Sequence, residues 1–105
     1  MPSLDFKRSD RIADLIRSEV AKIFTQEIND PRLVGLTIIR TEVSPDLKKA
    51  FIYFSDSNSF NDLDPKEIMN GLLKAKGFIR SSLSKKLNMR RIPEIIFEED
   101  KQIFE

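Results

Sequence analysis

Apolar residues recur at three- and four-residue steps through Ile12, Leu15, Ile16, Val20, Ile23, Phe24 and Ile28. That spacing lays a single apolar stripe along an α-helix and predicts the first helix over 9–28. Ser9 is placed to cap it, because a serine hydroxyl can accept from an amide left unpaired at a helix start. Asp10 follows at the positive end, where a carboxylate is favoured. Asn29-Asp30-Pro31 ends the helix, since proline disfavours helical geometry in the residue before it.

The period then changes. Residues 36–44 are rich in β-branched side chains, among them Thr37, Ile38, Ile39, Thr41 and Val43, and predict a strand. Ser44-Pro45-Asp46 reads as a turn, with proline fixing φ. A second strand over 50–55 pairs back as an antiparallel hairpin. Alternation places Ala50, Ile52 and Phe54 on one face and Phe51 and Tyr53 on the other.

After a polar stretch, Asp64-Pro65-Lys66-Glu67 has the composition of a helix start, with Asp64 as cap and Pro65 at the first helical position. Ile68, Met69, Leu72 and Leu73 supply an apolar side, and a further helical pattern runs through Phe78, Ile79, Leu83 and Leu87. Ala75-Lys76-Gly77 lies between them. A glycine inside a helix costs about 1 kcal/mol relative to alanine. Two helices meeting at a bend at Ala75 and Gly77 are therefore expected. Pro93 forces an extended backbone, and 95–97 reads as a third strand. The expected order is helix, strand, strand, helix, bend, helix, strand. This is an α+β domain with three helices on one face of a three-stranded sheet and the other face open to solvent.

Composition narrows the function. The chain has 105 residues and no cysteine or histidine. Disulfides, thiol nucleophiles, cysteine- or histidine-ligated metals and histidine acid–base chemistry are excluded. The length predicts a single domain over 1–105, with an ordered core over about 8–100. The first residues carry an acid and no apolar run, and no stretch is long enough to span a bilayer. A cytoplasmic protein with no membrane partner is the expectation.

The net charge of +1 conceals a segregation. Residues 68–93 contain no acid, yet they hold Lys74, Lys76, Arg80, Lys85, Lys86, Arg90 and Arg91. The rest of the chain is acidic overall. A positive patch on a nearly neutral molecule attracts phosphate backbones. Arg80, Ser81, Ser84 and Lys85 fall opposite the apolar side of the helix, and Lys74 and Lys76 extend that side past the bend. Cations beside hydroxyls suit phosphate and ribose oxygens. Lys86 lies nearer the apolar sector and is expected to snorkel. Lys7, Arg8 and Arg11 form a second, weaker basic group, significant only if the fold brings it to the first. Nucleic acid is the favoured partner, but a basic face can also dock on an acidic protein or a lipid, so those alternatives stay open.

Other chemistry is not supported. Phe51 and Tyr53 could serve as stacking platforms on an open sheet, but no basic-aromatic RNA motif surrounds them. Asp56, Asn58 and Glu67 match positions 1, 3 and 12 of a calcium loop, but Phe60 stands at a ligand position and Asn61 replaces the required glycine. Phosphate-binding glycine loops and nucleophile elbows are absent. With no specific carboxylate pair, neither an enzyme, a metal, a cofactor nor a small-molecule substrate is expected.

Read together, four segments carry a resemblance. They are Asn29-Asp30-Pro31-Arg32-Leu33, then Val43-Ser44-Pro45-Asp46-Leu47-Lys48-Lys49-Ala50, then Ala75-Lys76-Gly77-Phe78-Ile79-Arg80-Ser81-Ser82-Leu83, and finally Leu87-Asn88-Met89-Arg90-Arg91-Ile92-Pro93-Glu94-Ile95, closed by Phe97 and Asp100. In this order, over about 8–100, the chain resembles the ribosome-binding factor A family of bacterial small-subunit assembly factors. The resemblance implies a type II KH-like fold. The usual G-x-x-G loop is absent, and the interrupted Ala75-Lys76-Gly77 stands at the bend instead. It further implies an RNA-binding factor that engages free small (30S) subunits late in maturation, near the decoding-site end of 16S rRNA; a monomer is expected. Such factors support processing of the rRNA precursor, leave before subunit joining and are associated with growth in the cold. Many relatives continue into a polar C-terminal tail. With the charge pattern and helix geometry above, the residues expected in RNA contact are Lys74, Lys76, Gly77, Arg80, Ser81, Ser84, Lys85, Arg90 and Arg91, with Lys7, Arg8 and Arg11 as a weaker set.

Overall fold

The computed structural model describes residues 4–56 and 64–100, with residues 4–7 described by backbone alone. Helix α1 spans Leu4–Gln26, a single 3₁₀ turn spans Pro31–Leu33, strands β1 and β2 span Leu36–Val43 and Lys49–Asp56, helix α2 spans Pro65–Lys86, and strand β3 spans Glu94–Glu99. The sheet order is β1-β2-β3. β2 pairs antiparallel with β1 and parallel with β3. Two parallel neighbours need a crossover, and α2 supplies it.

The expected α+β architecture is present, with two corrections. The first concerns α2. It runs unbroken through Gly77, so among the described residues there are two α-helices and not three. Its buried residues Ile68, Leu72, Ile79 and Leu83 explain this. Their spacings of four, seven and four keep one phase of a 3.6-residue repeat, so a single helix buries all of them. A Cβ built on Gly77 meets nothing within 4 Å, so the glycine answers to no internal packing constraint.

The second correction is at the N-terminus. Ser9 does not cap α1; it lies inside the helix at 2% exposure. It stands three and four residues before Ile12 and Ala13, on the buried stripe, and lines the same shallow groove as Thr41, Val43 and Pro45. A small residue here lets α1 lie close to the end of β1.

The core forms between the two helices and one face of the sheet. Ile16, Val20 and Ile23 of α1, Leu72, Ile79 and Leu83 of α2, and Ala50, Ile52 and Ile95 of the strands are fully enclosed. Phe24 and Phe97 add a tilted ring contact at 6.3 Å between centroids. The alternation in β2 is as expected, with Ala50, Ile52 and Phe54 inward. In β1 the register shifts between Ile38 and Arg40, leaving Ile39 as an extra residue. This bulge accommodates adjacent isoleucines, since Ile38 turns inward while Ile39 is 41% exposed.

On the opposite face, Phe51 and Tyr53 are half-buried. The Arg40 guanidinium lies 4.1 Å from the centre of the Tyr53 ring. It also approaches Asp100 at 3.6 Å and Glu42 at 3.9 Å. That side of the Tyr53 ring is thus covered by the protein itself. Burial, followed by hydrogen bonding with Glu42, raises the Tyr53 hydroxyl pKa above its ordinary value. The calcium-loop positions Asn58, Phe60 and Asn61 lie outside the described residues.

Candidate nucleic-acid interface

Helix α2 is positioned at both ends. Asp64 caps it by accepting from the Lys66 amide at 3.0 Å, and Pro65 opens the first turn. At the far end Lys85 and Lys86 stand in the last turn, where cations complement the negative helix end. In its middle α2 is held against the 3₁₀ turn. The turn is rigid because Asp30 accepts from Arg32 three times, from the amide at 3.0 Å, from Nε at 3.1 Å and from Nη2 at 2.8 Å. These hydrogen bonds hold the Asp30 carboxyl below the usual carboxylate range and lift the Arg32 guanidinium above its own.

The outer surface of α2 carries most of the expected site. Lys74, Gly77, Arg80, Ser81, Ser84 and Lys85 are exposed, and Lys76 is half-buried. The absence of a bend changes how they group. At about 100° per residue, Lys74 and Lys76 stand about 200° apart on one helix and do not share a row. Lys76 and Arg80, four residues apart, form one flank. Lys74, Ser81 and Lys85 form the other. Gly77, Ser84 and the exposed Leu73 lie between, giving a central strip that is low at Gly77 and has cations on both sides. Ser84 Oγ donates to the Ser81 carbonyl at 2.7 Å. Its oxygen is left to accept, which fits a ribose hydroxyl better than a phosphate. Lys86 turns back to α1 and pairs with Glu19 at 3.1 Å.

The second basic group is brought to the first. Arg8 lines a surface groove with Leu47, Lys48, Asn88, Met89, Arg90 and Arg91, and with Asp46 as its one acid. Arg8 and Arg11 also border a neighbouring groove with Leu87, Asn88 and Met89. The chain enters these grooves directly from the end of α2. Lys48 belongs to the cluster, although its place in the hairpin turn gave no sequence signal for it. The turn that presents it is tightly tied. Asp46 accepts from Ser44 Oγ at 2.6 Å and from the Lys48 amide at 3.0 Å, and Leu47 takes a φ of 63°. Those two hydrogen bonds lower the Asp46 pKa. The side chain of Lys7 lies outside the described residues.

Three residues assigned to apolar stripes are instead on the surface. Leu15 is 48%, Leu73 54% and Phe78 47% exposed. Leu73 and Phe78 follow from the missing bend, because one continuous helix cannot turn them inward together with Leu72 and Ile79.

Comparison with known proteins supports the same direction. The profile of the family described as "Ribosome-binding factor A" matches residues 8–105. The ribosome-binding factor A of Syntrophus aciditrophicus is 44% identical over 95 residues, covering 90% of this chain and 76% of that protein. The crystal structure of ribosome-binding factor A from Thermus thermophilus superposes with a TM-score of 0.75 at 21% identity, over 87% of this chain and 93% of that one. A homology model of the Thermus thermophilus factor, fitted into a cryo-EM map of a 30S–factor complex, gives a TM-score of 0.58 at 21% identity, over 80% and 90% of the two chains. At that identity the two structural likenesses speak for the fold alone.

Proposed function

The chain belongs to the ribosome-binding factor A family, and on that premise we propose that it is a non-enzymatic assembly factor that binds free small ribosomal subunits through their 16S rRNA. It acts late in maturation, assists processing of the rRNA precursor and favours growth in the cold. We place it in the cytoplasm as a monomer, one KH-like domain over 1–105. No helix among the described residues is long and apolar enough to cross a membrane.

The observation that carries this reading is the outer surface of α2 beyond its first turn, free of acid from residue 68 on and flanked by Lys76 and Arg80 on one side and Lys74 and Lys85 on the other; Glu67 in the first turn is the one acid of the helix. Gly77 keeps the strip between them low enough for a backbone to approach. Arg8, Arg11, Arg90 and Arg91, with Lys48, continue the positive surface past the helix end. Lys7 belongs to this second set by sequence. Phosphates would be held by the cations, and ribose hydroxyls by Ser81 and Ser84. Recognition by backbone and shape follows, since no array of base-reading amides gathers here.

Co-sedimentation of the purified chain with free small subunits, large subunits and joined ribosomes, at low and moderate salt, tests the reading. Selective migration with free small subunits that survives moderate salt is expected. Equal binding to all three, lost with salt, would reduce the surface to a generic basic patch.

A further inference from the structure

Among the residues whose side chains are described, Phe78 is the only phenylalanine or tyrosine that is exposed. It projects from the middle of α2. Lys74 stands one turn before it and Ser81 one turn after, each a surface neighbour at about 5–6 Å between Cβ atoms. Lys85 follows about two turns on. A phenyl ring left in water forfeits the hydrophobic gain that burial gives. A protein partner would need adjoining apolar surface to cover the ring, but its neighbours one turn away are Lys74, Ala75, Ser81 and Ser82, of which only Ala75 is apolar and it packs against the core.

A partner that presents negative charge and flat π-faces together fits both features. A paired helix hides its base faces in the stack. An unpaired nucleotide offers a phosphate on either side and a base face between. We propose that Phe78 is a stacking platform for one unpaired RNA base, with Lys74 and Lys85 holding the phosphates beside it. This rests on the reading of α2 as the RNA-binding face. It adds that the face seats on a single-stranded segment and not only on duplex backbone.

The chain contains no tryptophan, so Phe78→Trp places a lone indole at the platform. We would titrate this variant, at low salt, with a 12-nucleotide oligoadenylate and with a 12-base-pair RNA duplex. Quenching of the indole by the oligoadenylate and not by the duplex is expected. In the wild-type background, Phe78→Ala should weaken oligoadenylate binding by about 5- to 150-fold, the range measured for one base–aromatic stack. Duplex binding should hold. Phe78→Leu should behave like Phe78→Ala, because it keeps apolar area without a π-face. No quenching at saturation, or full affinity in Phe78→Leu, would overturn the proposal. So would wild-type protein that binds the duplex but not the oligoadenylate. If neither probe binds the wild type, the reading of α2 as an RNA face fails as well.

Discussion

Gly71 of α2 and Leu33 of the 3₁₀ turn meet so closely that a Cβ on the glycine would stand 3.1 Å from Leu33 Cδ2, with Arg32 Cβ and Nε at 3.4 Å. Leu33 is itself 7% exposed and part of the core. The glycine in α2 that internal packing requires is therefore Gly71. Gly77, although it lies within the segment that resembles the family, has open space around it.

This contrast gives the first prediction. Gly77→Ala should stabilise the domain by up to about 1 kcal/mol, the helix-interior advantage of alanine. Gly71→Ala should gain less, because Leu33 must shift to admit the methyl. Gly71→Val should lose about 1–3 kcal/mol through overpacking. Gly77→Gln then separates stability from binding: the Tm is expected to hold or rise while affinity for small subunits falls. Urea unfolding and co-sedimentation of the four variants check this. Equal destabilisation by substitutions at 71 and 77 would contradict it.

Asp64 fixes where α2 begins. Asp64→Ala removes the acceptor for the Lys66 amide and should cost about 1 kcal/mol. For a domain of this size that corresponds to a Tm drop of about 4–8 °C. Asp64→Asn or Asp64→Ser should recover most of it. A thermal melt distinguishes these outcomes.

Acid should loosen the two tied turns. Asp30 and Asp46 have folded pKa values lowered chiefly by side-chain hydrogen bonds, from Arg32 and from Ser44 respectively. A lowered folded pKa means the stability is present above the unfolded value of about 3.9 and is lost as pH falls through the folded value. Tm should therefore decline below about pH 4. The decline should be shallower in an Asp30→Asn, Asp46→Asn double variant, whose starting Tm is lower. Parallel curves for the two proteins between pH 2 and 6 would show that other carboxylates carry the effect.

The groove formed by Arg8, Lys48, Arg90 and Arg91 should contribute its own phosphate contacts. Replacing Arg90 and Arg91 by alanine should make the fall of log affinity with log salt shallower by about 1–2, since each lost phosphate removes about 0.7–0.9. Binding to RNA of different sequences should weaken uniformly. An unchanged slope would place these arginines outside the interface.

Much of the fold was legible because the local signals agree with the packing. Ile16, Val20 and Ile23 recur at helical spacing and are fully buried. Asp64-Pro65 marks a helix start by both composition and geometry, and Ala50, Ile52 and Phe54 alternate as a half-buried strand must. The failures have physical causes. Ser9 looks like a cap because it is polar, whereas its position relative to Ile12 and Ala13 puts it on the buried stripe. Gly77 looks like a break because glycine is a poor helix former. That cost of about 1 kcal/mol is outweighed by the in-phase burial of Ile68, Leu72, Ile79 and Leu83. The basic run was visible in the charge pattern. Its division into two flanks needed the unbroken helix, and the addition of Lys48 and Arg8 needed tertiary contacts that no spacing encodes.

The central claim is that the outer face of α2 holds the small subunit. The most direct measurement is co-sedimentation of an Arg80→Glu, Lys85→Glu variant with free small subunits at moderate salt, alongside its thermal melt. Both side chains are exposed, and Lys85→Glu reverses a favourable charge at the helix end, so the variant should stay folded and lose no more than about 1–2 kcal/mol. Binding should weaken by about tenfold or more, the scale of one lost charge-assisted hydrogen bond. A variant that stays folded and still sediments with small subunits at unchanged affinity would contradict the assignment.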